Sequence, residues 1–118
     1  MRIETTTMAG FPDLIGVSPQ LDTIFVEAKV VIGNKIKLSP HQISMGIKLW
    51  RDTGGSSYII AIKEHAKPLR PDSVKLYETR ISLDLLENGV NEPPTAEGWH
   101  TICRYLQAVH GSRPKKPR

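Results

Sequence analysis

Two apolar runs, Thr23 to Val31 and Ser57 to Ile62, flank a stretch that opens on Ser39-Pro40 and closes on Gly54-Gly55. This arrangement constrains the fold more tightly than any other segment. Serine before proline is the start signal of a helix, because the serine oxygen can take an otherwise unbonded amide and proline fits the first helical position. A glycine pair is a stop signal. The spacing predicts a helix from about Pro40 to Thr53, with Ile43, Ile47 and Trp50 covering a sheet and Gly46 permitting close backbone approach. Two strands joined through one helix form a crossover and run parallel. Thr23 to Val31, the most apolar stretch, is expected to be the central strand.

The remaining elements are weaker. Arg2 to Met8 and Leu14 to Val17 read as short strands, and Gln20 to Asp22 as a turn. In the second half, Val74 to Glu78 reads as a strand and Ser82 to Leu86 as a short helix stopping at Asn88-Gly89. Thr95 is expected to cap a last helix whose Trp99, Ile102, Cys103, Leu106 and Val109 recur at three- and four-residue steps. The fold class expected is α/β, a mixed sheet of about four or five strands flanked by helices.

On the central strand, Glu27 and Lys29 are two residues apart, so their side chains leave the same face, with Phe25 below them. Ahead of that strand stands Asp13, at the entrance of the Leu14 strand after the Gly10-Phe11-Pro12 turn. Two carboxylates and an ammonium suit cleavage of a phosphodiester: a hard divalent cation takes few carboxylates, with water and phosphate completing its shell, while a cation handles the attacking water or the developing charge. Taken singly, a Glu-x-Lys on a strand and a Pro-Asp turn are ordinary surface chemistry. Their order along the chain, followed by the Gly33-Asn34 turn and a capped helix, raises them above coincidence.

These residues, Gly10-Phe11-Pro12-Asp13-Leu14, Phe25-Val26-Glu27-Ala28-Lys29 and Leu38-Ser39-Pro40-His41-Gln42, resemble the PD-(D/E)XK nuclease superfamily. Within it they look most like the virus-type replication-repair nuclease domains (VRR-NUC) and related Holliday junction resolvases. The likeness runs from about Met8 to Ile62. It implies a restriction-endonuclease-like fold and magnesium-dependent (or manganese-dependent) cleavage of DNA, branched DNA in particular, by a homodimer. It also implies that Asp13, Glu27 and the Ala28 carbonyl bind the metal. Lys29 would then orient or activate water, and Gln42 would steady the site or the scissile phosphate. Many members of the superfamily carry a further acidic residue ahead of the first aspartate, and here Glu4 is the one candidate. Such a ligand comes from Glu4, from a partner subunit, or is dispensed with.

Composition fits without deciding. The 118 residues make one domain, with a net charge of +4 and a pI near 9.4, suited to a polyanion. The domain is expected over residues 1–110. The tail over 111–118, with Arg113, Lys115, Lys116 and Arg118 between prolines, is expected to be flexible and to bind DNA. Lys35 and Lys37 form a basic loop open to phosphate or simply to solvent, and His41 beside Gln42 is a further candidate for phosphate contact. His65, His100 and His110 lack partners at ligand spacing and are expected at the surface or as satisfied core residues. A single cysteine, Cys103, excludes an intramolecular disulfide and a zinc cluster, and it is expected to pack as a small apolar residue. No membrane-spanning run or signal-peptide plan is present. The expected setting is the cytoplasm of a bacterial or phage-infected cell. No P-loop, Rossmann glycine pattern or nucleophile elbow is present. A non-catalytic DNA-binding or assembly module on the same fold, and a structural protein carrying a chance motif, are the competing readings.

Overall fold

The computed structural model of the chain describes residues 2–5, 14–18, 21–64 and 73–111, with side chains from Ile24 onward. A six-stranded sheet carries the strands in chain order. They are β1 (Arg2–Thr5), β2 (Leu14–Ser18), β3 (Leu21–Val30), β4 (Ser57–Lys63), β5 (Ser73–Glu78) and β6 (Ala96–Glu97). The β3–β4 pair is parallel and the others are antiparallel. The parallel pair is the one joined by α1 (Pro40–Thr53), as a crossover requires. The fold is the restriction-endonuclease-like α/β type.

Helix α1 begins where serine and proline put it. Ser39 is the N-cap, and at the other end Gly54 turns left-handed at φ 71°, its N–H returning to the Trp50 and Arg51 carbonyls. Ile43 is buried and Ile47 half-buried against the sheet face that carries Ile59, Ala61 and Tyr77. Gly46 lies against the short 3-10 turn Thr79–Ile81: a Cβ there would stand 3.0 Å from the Thr79 Cβ. The Thr79 hydroxyl donates to the Gly46 carbonyl at 2.6 Å. Trp50 departs from the expected face. It packs with the cluster on the opposite side of the sheet and meets Tyr58 edge-on, ring centres 5.8 Å apart. The reason is its place in the last turn of α1, next to Gly55 and the first residues of β4, where the side chain reaches Tyr58.

Other elements differ from the sequence expectations. The turn expected at Gln20 to Asp22 gives way to a strand that starts at Leu21, paired with Ser18. Thr95 does not cap the last helix: its N–H donates to the Leu76 carbonyl at 2.7 Å, and the Gly98 N–H donates to the Val74 carbonyl at 2.8 Å. The open edge of β5 has backbone groups to satisfy, and residues 95–98 satisfy them as a strand. That sixth strand goes beyond the five expected from the sequence. Helix α3 (Trp99–His110) then follows Gly98 and covers the second sheet face with Ile102, Leu106 and His110. This stripe, stepping by four, leaves Cys103 exposed instead of packed. His110 is a core residue, its Nε2 2.5 Å from the Tyr58 hydroxyl. Helix α2 (Ser82–Asn88) flanks α1 and buries Leu85. Among the described residues no helix is long and apolar enough to cross a membrane.

Candidate active site

The two-residue period of β3 decides which side chains meet. Ile24 and Val26 enter the core under α3, while Glu27 and Lys29 emerge on the α1 face. Glu27 is only 5 % exposed. A carboxylate this deep needs partners to offset its lost hydration. The Lys29 Nζ lies 2.9 Å from Glu27 Oε2, and the Gln42 Nε2 donates to the same oxygen at 2.5 Å. An ammonium and an amide therefore fix the carboxylate from two elements.

Gln42 is aimed by the helix start. Its Oε1 accepts the Ser39 N–H at 3.0 Å, and the Ser39 Oγ accepts the Gln42 N–H at 3.1 Å, a complete capping box. Because the amide oxygen is taken by Ser39, the NH2 end is presented to Glu27. The Ser-x-x-Gln spacing at Ser39 to Gln42 is a readable signature of this box. The serine is legible as a cap in the sequence; the direction in which the box turns the glutamine amide is visible only in the structure.

Backbone alternation places Ala28. The Phe25 and Val31 N–H groups donate to Ser56 and Ile62 across the parallel pair, so odd-numbered residues of β3 bond toward β4. The Ala28 backbone groups consequently face the β2 side, beyond the Leu14–Val26 pair at which the described part of β2 begins. Asp13 precedes Leu14 and lies outside the described residues, as do Arg113, Lys115, Lys116 and Arg118. Glu4 is in β1, with Ile15 as its Cα partner, and Ile15 in turn faces Phe25. Its register row is thus two strands from β3, roughly 10 Å between backbones, and aligned with Phe25 rather than Glu27. Lys37 and His41 are exposed near the helix start. Lys35 is exposed too, but its Nζ donates to the Glu87 carbonyl. The structure thus brings Glu27, Lys29 and Gln42 together, engages Lys35 with the Glu87 carbonyl instead, and places the Glu4 backbone two strands from β3.

The donor set suits a hard cation as far as it goes. Glu27 and the Ala28 carbonyl are oxygen donors, the type magnesium and manganese take, and magnesium uses few carboxylates and keeps several waters. Among the described residues no three His, Cys, Asp or Glu side chains converge. The sequence offers Asp13, immediately before β2, as a further carboxylate.

The model of one protein family matches residues 2–91, which include Glu27, Lys29 and Gln42 and end before β6 and α3. No curated protein and no solved structure matches the chain. With three quarters of its length matched and a Glu-x-Lys strand feeding a capped helix in a mixed sheet, the chain belongs to the archaeal Holliday junction resolvase (Hjc) family, a family of PD-(D/E)XK-type nucleases.

Proposed function

We propose that this protein is a metal-dependent endodeoxyribonuclease that cuts branched DNA, four-way junctions above all, and does so as a homodimer in the cytoplasm. The observation that carries the reading is the buried Glu27 carboxylate, held on one oxygen by Lys29 and Gln42. A structural role does not call for a charge this deep on the face of a sheet, since an apolar residue of similar size would serve stability at least as well. Asp13, Glu27 and the Ala28 carbonyl would hold the cation. When bound, magnesium would polarise the scissile phosphate and lower the pKa of a bound water.

The chain's own residues do the rest. Gln42 prevents the carboxylate from rotating, and Ser39 prevents Gln42 from doing so. Lys29, about one-fifth exposed, neutralises Glu27 and offers N–H donors to the phosphate oxygens as negative charge builds on them. Dimerisation is inferred from geometry: one chain carries one such site, and symmetric resolution of a junction needs two cuts related by a two-fold axis. Trp99 and Val109, each more than half exposed at the two ends of α3, supply apolar surface for pairing. The Ser-Pro-His-Gln helix start also supports kinship with the VRR-NUC branch of the superfamily.

Matched linear, flap and four-way DNA incubated with magnesium, manganese or chelator test the proposal, alongside light scattering. Metal-dependent cleavage favouring the four-way substrate, lost in Glu27→Gln while DNA binding persists, is the expected outcome. Wild-type cutting by Glu27→Gln would refute the site. A monomer without junction preference would refute the dimeric resolvase and leave a simpler nuclease. The second reading, a non-catalytic DNA-binding module, is favoured by the absence, among the described residues, of three or more His, Cys, Asp or Glu side chains grouped to hold a metal. Tight junction binding with no cleavage under any divalent metal would support it.

A further inference from the structure

Next to Glu27 lies an open depression of about 400 Å³ lined among others by Lys29, Ile36, Lys37, Leu38, Gln42 and Leu86. Its charged lining residues, Lys29 and Lys37, are both positive. The remainder is largely apolar, and Leu86 of α2 keeps 38 % of its surface exposed at the rim. The loop that forms one wall is pinned in place: the Val90 N–H donates to the Asn34 carbonyl at 2.9 Å, and the Lys35 Nζ donates to the Glu87 carbonyl. Both bonds tie the loop to α2 and the turn after it, so the depression is built before any ligand arrives.

We infer that this depression receives one unstacked nucleoside of the cleaved DNA strand, attached to the phosphate at Lys29, and thereby selects branched over linear DNA within a single chain. The inference rests on the nuclease reading and adds a substrate subsite to it. Lys29 borders both the Glu27 carboxylate and the depression, which makes the two continuous. A nucleoside joined to a phosphate at Lys29 therefore lies within reach, and Lys37 meets the next phosphate. A base inside a duplex turns its faces to its neighbours and shows only hydrogen-bonding edges to a protein. Leu86, exposed at the rim above the buried Ile36 and Leu38, has no polar side-chain atom with which to read an edge, whereas the apolar face of an extruded base can lie against it. Unstacking costs least where a base is already loosened, in the extreme single-stranded, and the pairs at an open branch point, stacked on one side only, are closer to that condition than pairs inside a duplex. The contact carries no base-specific donor or acceptor from these three residues, so it discriminates by DNA shape and not by sequence.

The test uses 2-aminopurine, a base analogue whose fluorescence rises on unstacking, placed singly at each position around the branch of a four-way junction. Glu27→Gln protein is used so that the DNA remains intact, and Leu86→Asp and Leu86→Ala are added to it in turn, with circular dichroism to check the fold. The expected result is a several-fold rise at one position on binding of Glu27→Gln, abolished by Leu86→Asp and reduced by Leu86→Ala. In the otherwise native protein, Leu86→Ala should lower the junction-to-linear cleavage ratio about fivefold, the effect of about one methylene's worth of apolar surface no longer covered. Absence of any brightening at saturating protein, or brightening that survives Leu86→Asp, overturns the subsite. A wild-type protein that brightens the junction but never cuts it overturns the nuclease reading and leaves the subsite standing. A protein that binds no DNA overturns both.

Discussion

Gln42 has two jobs that mutation can separate. One end of its amide closes the capping box with Ser39, and the other fixes the Glu27 carboxylate. Ser39→Ala removes the serine oxygen from the Gln42 N–H and should cost about 1 kcal/mol of stability, read as a fall of a few degrees in Tm. Cleavage should stay within about threefold of wild type, because the Gln42 side chain still has the Ser39 N–H to anchor it. Gln42→Ala should cost similar stability and, in addition, lower cleavage at least tenfold, since a hydrogen bond to a charged group contributes about 1.5–3 kcal/mol. Equal activity losses in the two variants would mean that helix integrity, not the Gln42–Glu27 bond, supports the site. The carboxylate and the lysine were both readable from the strand period, but nothing local in the sequence states that a side chain fifteen residues away meets the same oxygen.

At the level of elements, the loop from Ile32 to Leu38 depends on a close approach that only glycine permits. Gly89 has φ 67° and ψ −151° at the end of α2, and a Cβ on it would stand 1.7 Å from the Asn34 carbonyl oxygen. Backbone cannot withdraw from such an overlap as a flexible side chain would, so the loop and the helix end must separate. Gly89→Ala should destabilise the protein by about 3 kcal/mol or more, combining backbone strain with overpacking, as measured by urea unfolding. If the variant remains folded, cleavage should fall as well, because the Val90–Asn34 bond that anchors the loop beside Lys37 is broken. A change below about 0.5 kcal/mol, the range of ordinary surface substitutions, would show that loop and helix are not held together as described. The sequence marked Asn88-Gly89 as a helix stop. That its glycine is also a docking surface for a turn fifty-five residues earlier is a property of packing alone.

For the whole molecule, the two sheet faces are each closed over a buried tyrosine. Burial pushes the Tyr77 hydroxyl up to about 12, with Glu97 and Glu92 adding to the shift, and burial likewise raises Tyr58, assisted by Tyr105 and Glu78. Both folded-state values lie above the unfolded one, so below pH 10 both states hold the proton and these groups add no pH dependence. Above it the unfolded chain releases protons that the folded chain retains, and stability falls. Urea unfolding should show about 1 kcal/mol lost per tyrosine by pH 11, and Tyr77→Phe should flatten the slope. A flat profile to pH 11 would mean that neither hydroxyl is sequestered. A second whole-chain property concerns the basic residues after Gly111. Replacing Arg113, Lys115, Lys116 and Arg118 by serine should weaken DNA binding and reduce the slope of log affinity against log salt by roughly one to three. An unchanged slope would make the tail inert.

What the sequence determined by itself is the unit that carries the site. Strand period two puts Glu27 beside Lys29, a serine-proline start and a glycine stop bound α1, and a helix between two apolar strands forces them parallel; each of these is a consequence of short-range geometry. Tertiary structure alone decided where those pieces meet the rest of the chain. Ala96 and Glu97 become a strand because the β5 edge has unsatisfied backbone groups, and His110 is buried because Tyr58, fifty-two residues away, presents a hydroxyl to it. Leu86 reaches the rim of the depression beside Lys29 because α2 packs on α1 over the same sheet face. Contacts of this kind depend on the three-dimensional docking of elements whose residues have no fixed spacing along the chain, and so no pattern in the sequence encodes them one residue at a time.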